Sequence, residues 1–202
     1  MSPKKTEAKR RLMQVCVGSV AALAAVVAVA QTNGTAVLGE RSAFETIVDA
    51  NGMIARPQDD YLRDWVLLGS WAVSEQTADD VINFHNTYTT RDVVDEFRET
   101  GKWKDGAVLL KELRNTRNDD YTTGRASSAT DAFGWFVMIK DTQNRFPENG
   151  LWGEGWGWAF YSADAPDTLI TTDYEAECLG CHVPVQDTDW VYSHAYPALR
   201  KN

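Results

Sequence analysis

Sulfur and imidazole are scarce in this chain. Its 202 residues include three cysteines, three histidines and four methionines. Setting aside the first 30 residues leaves Cys178, Cys181, His85, His182, His194, Met53 and Met138. A zinc centre needs four ligands, and only His85 and His194, far off in sequence, could complete a set with the cysteine pair, which counts against zinc. After residue 30 there is also no basic stripe or cluster that could track phosphates, which argues against a nucleic-acid partner. Internal repeats, low-complexity stretches and dividing linkers are absent too. With 44% hydrophobic and 11% aromatic residues, one domain with a full core is expected.

The N-terminus reads as an export signal. Basic "KKTEAKRR" runs into apolar "LMQVCVGSVAALAAVVAVA", which ends in an A-x-A site at Ala28, Val29 and Ala30. Cleavage after Ala30 is expected, leaving residues 31–202 as the mature, periplasmic domain. The apolar run just reaches bilayer-spanning length, so an uncleaved membrane anchor is the alternative. Arg10 and Arg11 form a bare twin-arginine pair in surroundings that suit that signal poorly. Residues 1–30 hold five Lys/Arg and one Glu, so removing their net +4 takes the formal charge from −9 to −13. Acidity of that size keeps an exported protein soluble and suits a basic redox partner.

Periodicity predicts an α+β fold in which flanking helices pack on an antiparallel sheet. "RSAFETIVDANGM" has helical spacing at Phe44, Ile47 and Val48 with Gly52 as a stop. "TTRDVVDEFRETG" repeats the pattern, with Thr90 as cap, Val93, Val94 and Phe97 as the apolar stripe, and Gly101 as terminator. Strands are expected in "YLRDWVLLGSWAV", in "AVLLKELR" after an Asp105-Gly106 turn, in "AFGWFVMIKD" and in "LWGEGWGWAFY". In the last of these, alternation sets Trp152, Glu154, Trp156, Trp158 and Phe160 on one side and Gly153, Gly155 and Gly157 on the other. A face that bare predicts close approach by something flat or bulky, or by a neighbouring helix.

Chemistry concentrates in "EAECLGCHVP". Cys178, Leu179, Gly180, Cys181 and His182 form C-x-x-C-H, the attachment pattern of a c-type haem. Both thiols add across haem vinyl groups, and the adjacent imidazole reaches the iron. Pro184 is expected to end that helical turn. A thioredoxin-like dithiol should follow a buried strand, whereas this pair follows acidic "TDYEAE". One covalent haem c is therefore expected, with Cys178 and Cys181 as its thioethers and His182 as axial ligand.

The other axial position decides between carrier and catalyst. Met138 reads as a core thioether on the strand face of Gly134, Phe136 and Lys140. His85 in "NFHNTY" and His194 in "YSHAYP" read as loop-like surface or supporting histidines. A five-coordinate iron, open to a small ligand, is the expectation. In "AVLLKELR" alternation puts Lys111 with Ala107, Leu109 and Leu113 on a face that should be buried. A lysine there must lose its charge, find a partner, reach outward or be modified, unless the strand is an edge and the side chain meets solvent.

Taken together, "KWKDGAVLLKEL", "GWFVMIKD", "GWGWAFY" and "ECLGCHVPVQDTDWVYS", in that order and at similar spacing, resemble the cytochrome P-460 proteins and the related beta-type cytochromes c-prime. The resemblance implies an antiparallel sheet with flanking helices, a single c-type haem near the C-terminus, a five-coordinate iron and a homodimer. It further implies oxidation of hydroxylamine or a similar small nitrogen compound, with electrons passed to an external acceptor, and a lysine bonded to the porphyrin. Lys111 is the closest match to that lysine; Lys104 and Lys140 are the competing candidates and are expected to reach solvent. Beta-type cytochromes c-prime share the fold without the crosslink and bind nitric oxide or carbon monoxide.

Overall fold

Five of the six strands in the computed structural model carry long antiparallel pairings, and the sixth is a two-residue edge. The structure describes residues 41–76 and 80–201. The residues read as an export signal and the one expected to begin the mature chain, Gln31, lie outside them. The strands are β1 (Val66–Ser74), β2 (Val81–Thr89), β3 (Val108–Tyr121), β4 (Gly124–Lys140), β5 (Trp152–Gly153) and β6 (Trp156–Ser162), in the order β1-β2-β3-β4-β6-β5. Helices α1 (Ala43–Thr46), α2 (Tyr61–Asp64) and α3 (Arg91–Thr100) flank the sheet. The expected α+β architecture is therefore the observed one. No helix among the described residues is long and apolar enough to cross a membrane.

The longest helix, α3, forms where its apolar spacing predicts. Val93 and Val94 are buried and Gly101 closes the helix in the left-handed region at φ 71°, its N–H bonded to the Phe97 carbonyl at 2.8 Å. Thr90 occupies the cap position without a side-chain cap bond. The first predicted helix shrinks to the single turn α1, which is held by a capping box between Ser42 and Glu45. The segment "YLRD" forms helix α2, so the strand expected from Tyr61 begins only at Val66.

Two expectations are overturned near the strands. "NFHNTY" is no loop: it lies inside β2, where His85 pairs with Leu113 and Thr87 with Lys111. Flanking by β1 and β3 satisfies its backbone on both sides, which outweighs the low strand preference of its asparagines. "LWGEGWGWAFY" is a hairpin rather than one strand. Glu154 (φ 56°) and Gly155 (φ 77°) occupy left-handed positions at its turn, the geometry of a tight two-residue connection. The turn also overturns the expected single glycine face: Trp152 pairs with Gly157 and Gly153 with Trp156, so Trp152 joins one core and Trp156 and Trp158 the other, and each of these two glycines receives an aromatic ring of the chain itself. A Cβ on Gly153 would meet the Tyr174 hydroxyl, and one on Gly157 would lie 2.6 Å from the Trp152 ring.

Each sheet face has its own core. On one, Tyr61, Trp65, Tyr88, Leu110, Val137, Ile139, Trp152 and Tyr161 pack with the segment before β1. Within that core Glu112 is fully buried. It accepts from the Tyr61 hydroxyl at 2.5 Å and from Arg114 Nε and Nη2 at 2.6 and 2.7 Å, so its charge is compensated. On the other face, Leu109, Met138, Trp156, Trp158, Val191 and Tyr196 pack around Cys178. There the helical turns of the C-terminal segment cover the sheet.

Candidate haem site

The C-x-x-C-H residues sit in consecutive helical turns. A π-helical turn spans Glu175–Leu179, an α-helical turn Gly180–His182, and a 3-10 helix Val183–Thr188. The backbone leaves helical geometry at Val185 (φ −126°), so the expected stop comes directly after Pro184. Pro184 itself falls at the start of the 3-10 segment, where its missing N–H costs nothing. These turns bury Cys178, leave Cys181 exposed, and keep both as free thiols. Burial pushes the Cys178 thiol up to about 11.

Cys178, Cys181 and His182 line a cavity of about 370 Å³. Its floor is the sheet face that carries His85, Thr87, Leu109, Lys111, Phe136, Met138 and Trp158, and Val191, Tyr192 and Tyr196 add a wall from the C-terminal segment. The volume falls within the roughly 300–1,000 Å³ usual for cofactor and ligand sites.

His182 is held from behind. The carbonyl of Trp190 lies 2.6 Å from its Nδ1, so Nδ1 carries the proton and donates, and the unprotonated Nε2 is free to ligate. The Trp158 ring meets the imidazole edge-on at 4.9 Å and Tyr192 does so at 5.9 Å. Burial lowers the His182 pKa; the Trp190 carbonyl opposes that shift and Lys111 adds to it. The carbonyl is presented by an unusual backbone, since Asp189 (φ 57°) and Trp190 (φ 62°) are consecutive left-handed residues. Asp189 is anchored twice: Lys140 Nζ donates to its carboxylate at 2.7 Å and Trp156 Nε1 to its carbonyl at 3.0 Å.

That anchor corrects the expectation for Lys140. Its side chain is only 12% exposed, pairs with Asp189 and lies over the Trp156 ring at 4.9 Å, so it does not reach solvent. Lys104 is partly exposed and pairs with Asp92. Lys111 differs from both. It is half-buried on the cavity wall with no carboxylate partner among the described residues, and its ammonium lies 4.6 Å from the Phe136 ring centroid. Burial pulls its pKa below the ordinary lysine value. Sequence alternation had placed Lys111 on the buried face, and β3 is an interior strand, so the edge-strand alternative falls.

Residues 59–193 match the family model of cytochrome P460. The chain belongs to the cytochrome P460 family. No curated protein matches it. Membership makes it a cytochrome, and the fit of the cavity to a haem can be judged from its own residues. Two free thiols, an imidazole with Nε2 unengaged and a largely apolar, aromatic lining converge on one space, and these are the donors and surroundings such a cofactor requires. Met138 is 8% exposed within the core and also borders the cavity. His194 is exposed beside Trp71 and Tyr192, with ring centroids 6.2 and 6.0 Å away. Sequence reasoning passed over the clamp made by Trp190, Asp189 and Lys140. Its only visible signal was the acidic and aromatic "DTDW" directly after the motif.

Proposed function

We propose that this member of the cytochrome P460 family is an exported monohaem c-type cytochrome that oxidises hydroxylamine or a similar small nitrogen compound and passes the electrons to an external acceptor. Cys178 and Cys181 would hold the cofactor as thioethers and His182 would ligate its iron. The observation that carries the reading is Lys111, a lysine without a carboxylate partner among the described residues, on the same cavity wall as the C-x-x-C-H residues. A bound haem supplies the ligand site and the electron-accepting centre, and the protein supplies orientation and environment.

Trp190 holds the His182 proton at Nδ1. Trp158 and Tyr192 restrict the imidazole plane. Leu109, Phe136, Met138 and Val191 give the cavity an apolar lining. Burial favours the neutral, nucleophilic form of the Lys111 amine, the form needed for a bond to the porphyrin. The export signal read in residues 1–30 supports a periplasmic setting, where the strongly acidic mature chain suits a basic redox partner. A homodimer completes the proposal.

The second reading is a cytochrome of the same fold that binds nitric oxide or carbon monoxide without turnover. The apolar wall favours it, in particular the Phe136 and Phe160 rings packed 4.5 Å apart beside Lys111. Peptide mass spectrometry separates the two. In the enzyme, proteolysis leaves the Lys111 peptide joined to the Cys178 peptide through one porphyrin, and the reduced protein has a strongly red-shifted Soret band. Lys111→Ala keeps the thioethers, returns that band toward an ordinary c-type position and reduces hydroxylamine oxidation at least about tenfold, the factor set by about 1.4 kcal/mol of barrier. Peptides that separate cleanly, with an ordinary spectrum, leave the gas-binding protein. Haem extracted by acid-acetone would overturn covalent attachment, and an intact Met1 in the membrane fraction would replace cleavage before Gln31 by an anchor.

A further inference from the structure

Among the polar groups of the cavity wall, one imidazole has no engagement. The Tyr192 hydroxyl donates to the Cys181 carbonyl at 2.5 Å, and the Tyr196 hydroxyl donates to Thr87 Oγ1 at 3.2 Å. His182 Nδ1 is bonded to Trp190. The Glu177 carboxylate, on an exposed residue, accepts from Thr172 Oγ1 at 2.9 Å. Lys111 rests on the Phe136 ring. His85 lines the same cavity and its ring has no hydrogen bond, ion pair or ring contact among the described residues.

The position of His85 follows from register. His85 pairs with Leu113 and Thr87 with Lys111, so His85 and Lys111 are diagonal neighbours on one face of adjacent strands. Burial first, and the Lys111 charge second, depress the imidazole to about 4. At neutral pH the ring is therefore uncharged, with one nitrogen bearing a free lone pair. The acids and bases that share the cavity lining with it are Lys111 from β3, Glu177, Cys178, Cys181 and His182 from the motif segment, and Tyr192 and Tyr196 from the C-terminal segment.

We propose that His85 is the proton acceptor of this cavity: a small, weakly acidic ligand that enters in its protonated form gives its proton to the His85 imidazole. The bond from hydrogen to the ligand breaks heterolytically, the electron pair stays with the ligand, and the proton forms a new N–H on an imidazolium; no oxidation accompanies the transfer. Naming hydroxylamine as the natural ligand rests on the function proposed above, whereas the proton transfer itself does not. Lys111 sets the strength of this base. While it is a cation it opposes the imidazolium, and any chemistry that neutralises its nitrogen makes His85 more basic.

Hydrogen cyanide is the probe, because it must lose its proton to bind as cyanide. Stopped-flow association at pH 7 with the ferric holoprotein is compared for wild type, His85→Leu and His85→Gln. General-base assistance contributes on the order of 100-fold or more, so both variants should take up cyanide about 100-fold more slowly while retaining covalent haem and the wild-type spectrum. Glutamine preserves hydrogen bonding and approximate size but cannot accept the proton, so a glutamine variant as slow as leucine identifies proton transfer rather than packing. Association within threefold of wild type in both variants, or full recovery in His85→Gln, overturns the proposal. Wild type that takes up cyanide through His85 but leaves hydroxylamine unoxidised upholds the proton acceptor and sinks the substrate reading. Hydroxylamine turnover with unaltered cyanide uptake in both variants does the reverse.

Discussion

Replacing Asp189 separates two forces that hold the loop behind His182. Asp189 occupies the left-handed region at φ 57°, which costs an alanine roughly 1–2 kcal/mol but little for glycine or asparagine. Its carboxylate also holds Lys140 at 2.7 Å, with the lysine side chain 12% and the aspartate 40% exposed. A charge-assisted hydrogen bond is worth about 1.5–3 kcal/mol, and the exposure of Asp189 moves this pair to about 1.5 kcal/mol. Asp189→Ala should therefore lose about 2.5–3.5 kcal/mol, Asp189→Gly about 1.5 kcal/mol, and Asp189→Asn, which keeps both a left-handed preference and an acceptor, about 1 kcal/mol. At roughly 2–4 °C per kcal/mol for a domain of this size, thermal melting of the holoprotein should fall by about 5–14 °C for alanine and about 2–6 °C for the other two. Alanine and glycine variants with equal midpoints would refute the backbone argument. An asparagine variant as unstable as alanine would refute its refinement, since charge alone would then matter.

Two further tests address the opposite face and the cavity. Tyr61→Phe removes the hydroxyl that donates to the buried Glu112 carboxylate at 2.5 Å and accepts from Trp135 Nε1 at 3.0 Å, so urea unfolding should show a loss of about 1.5–3 kcal/mol; a loss below about 0.5 kcal/mol would show that Arg114 alone satisfies Glu112. The pH dependence of stability should carry the signature of His85, whose folded pKa is depressed from 6.5 to about 4. Above about 6.5 neither state binds the proton; as pH falls from 6.5 to 4 the unfolded chain takes it up first, so stability declines through that window and levels off below it. For a half-buried ring the decline is about 1–2 kcal/mol, and His85→Gln should flatten that part of the curve, with an unchanged slope counting against it.

Local pattern carried the parts of the protein that depend on neighbours in sequence. The C-x-x-C-H residues, the helix over "RDVVDEFRET" with its glycine stop, and the inward side of Lys111 all follow from spacings of a few residues, because one helical turn or one strand repeat sets them. The hairpin at Glu154 and Gly155 was hidden inside an alternating aromatic run, since a two-residue turn leaves the alternation intact on both sides.

Tertiary structure alone decided which charges and rings meet. The "NFHNTY" run becomes strand because β1 and β3 hydrogen-bond both its edges, and only that placement turns His85 toward the cavity. Lys140 and Lys111 look alike in sequence, each a lysine in an apolar strand. Asp189, 49 residues from Lys140, pairs with it, while among the described residues no carboxylate comes to Lys111. The physical reason is that hydrogen bonds and Coulomb forces act over a few ångströms of space, and the chain brings those partners within reach only after the sheet has formed and the C-terminal turns have folded onto its face.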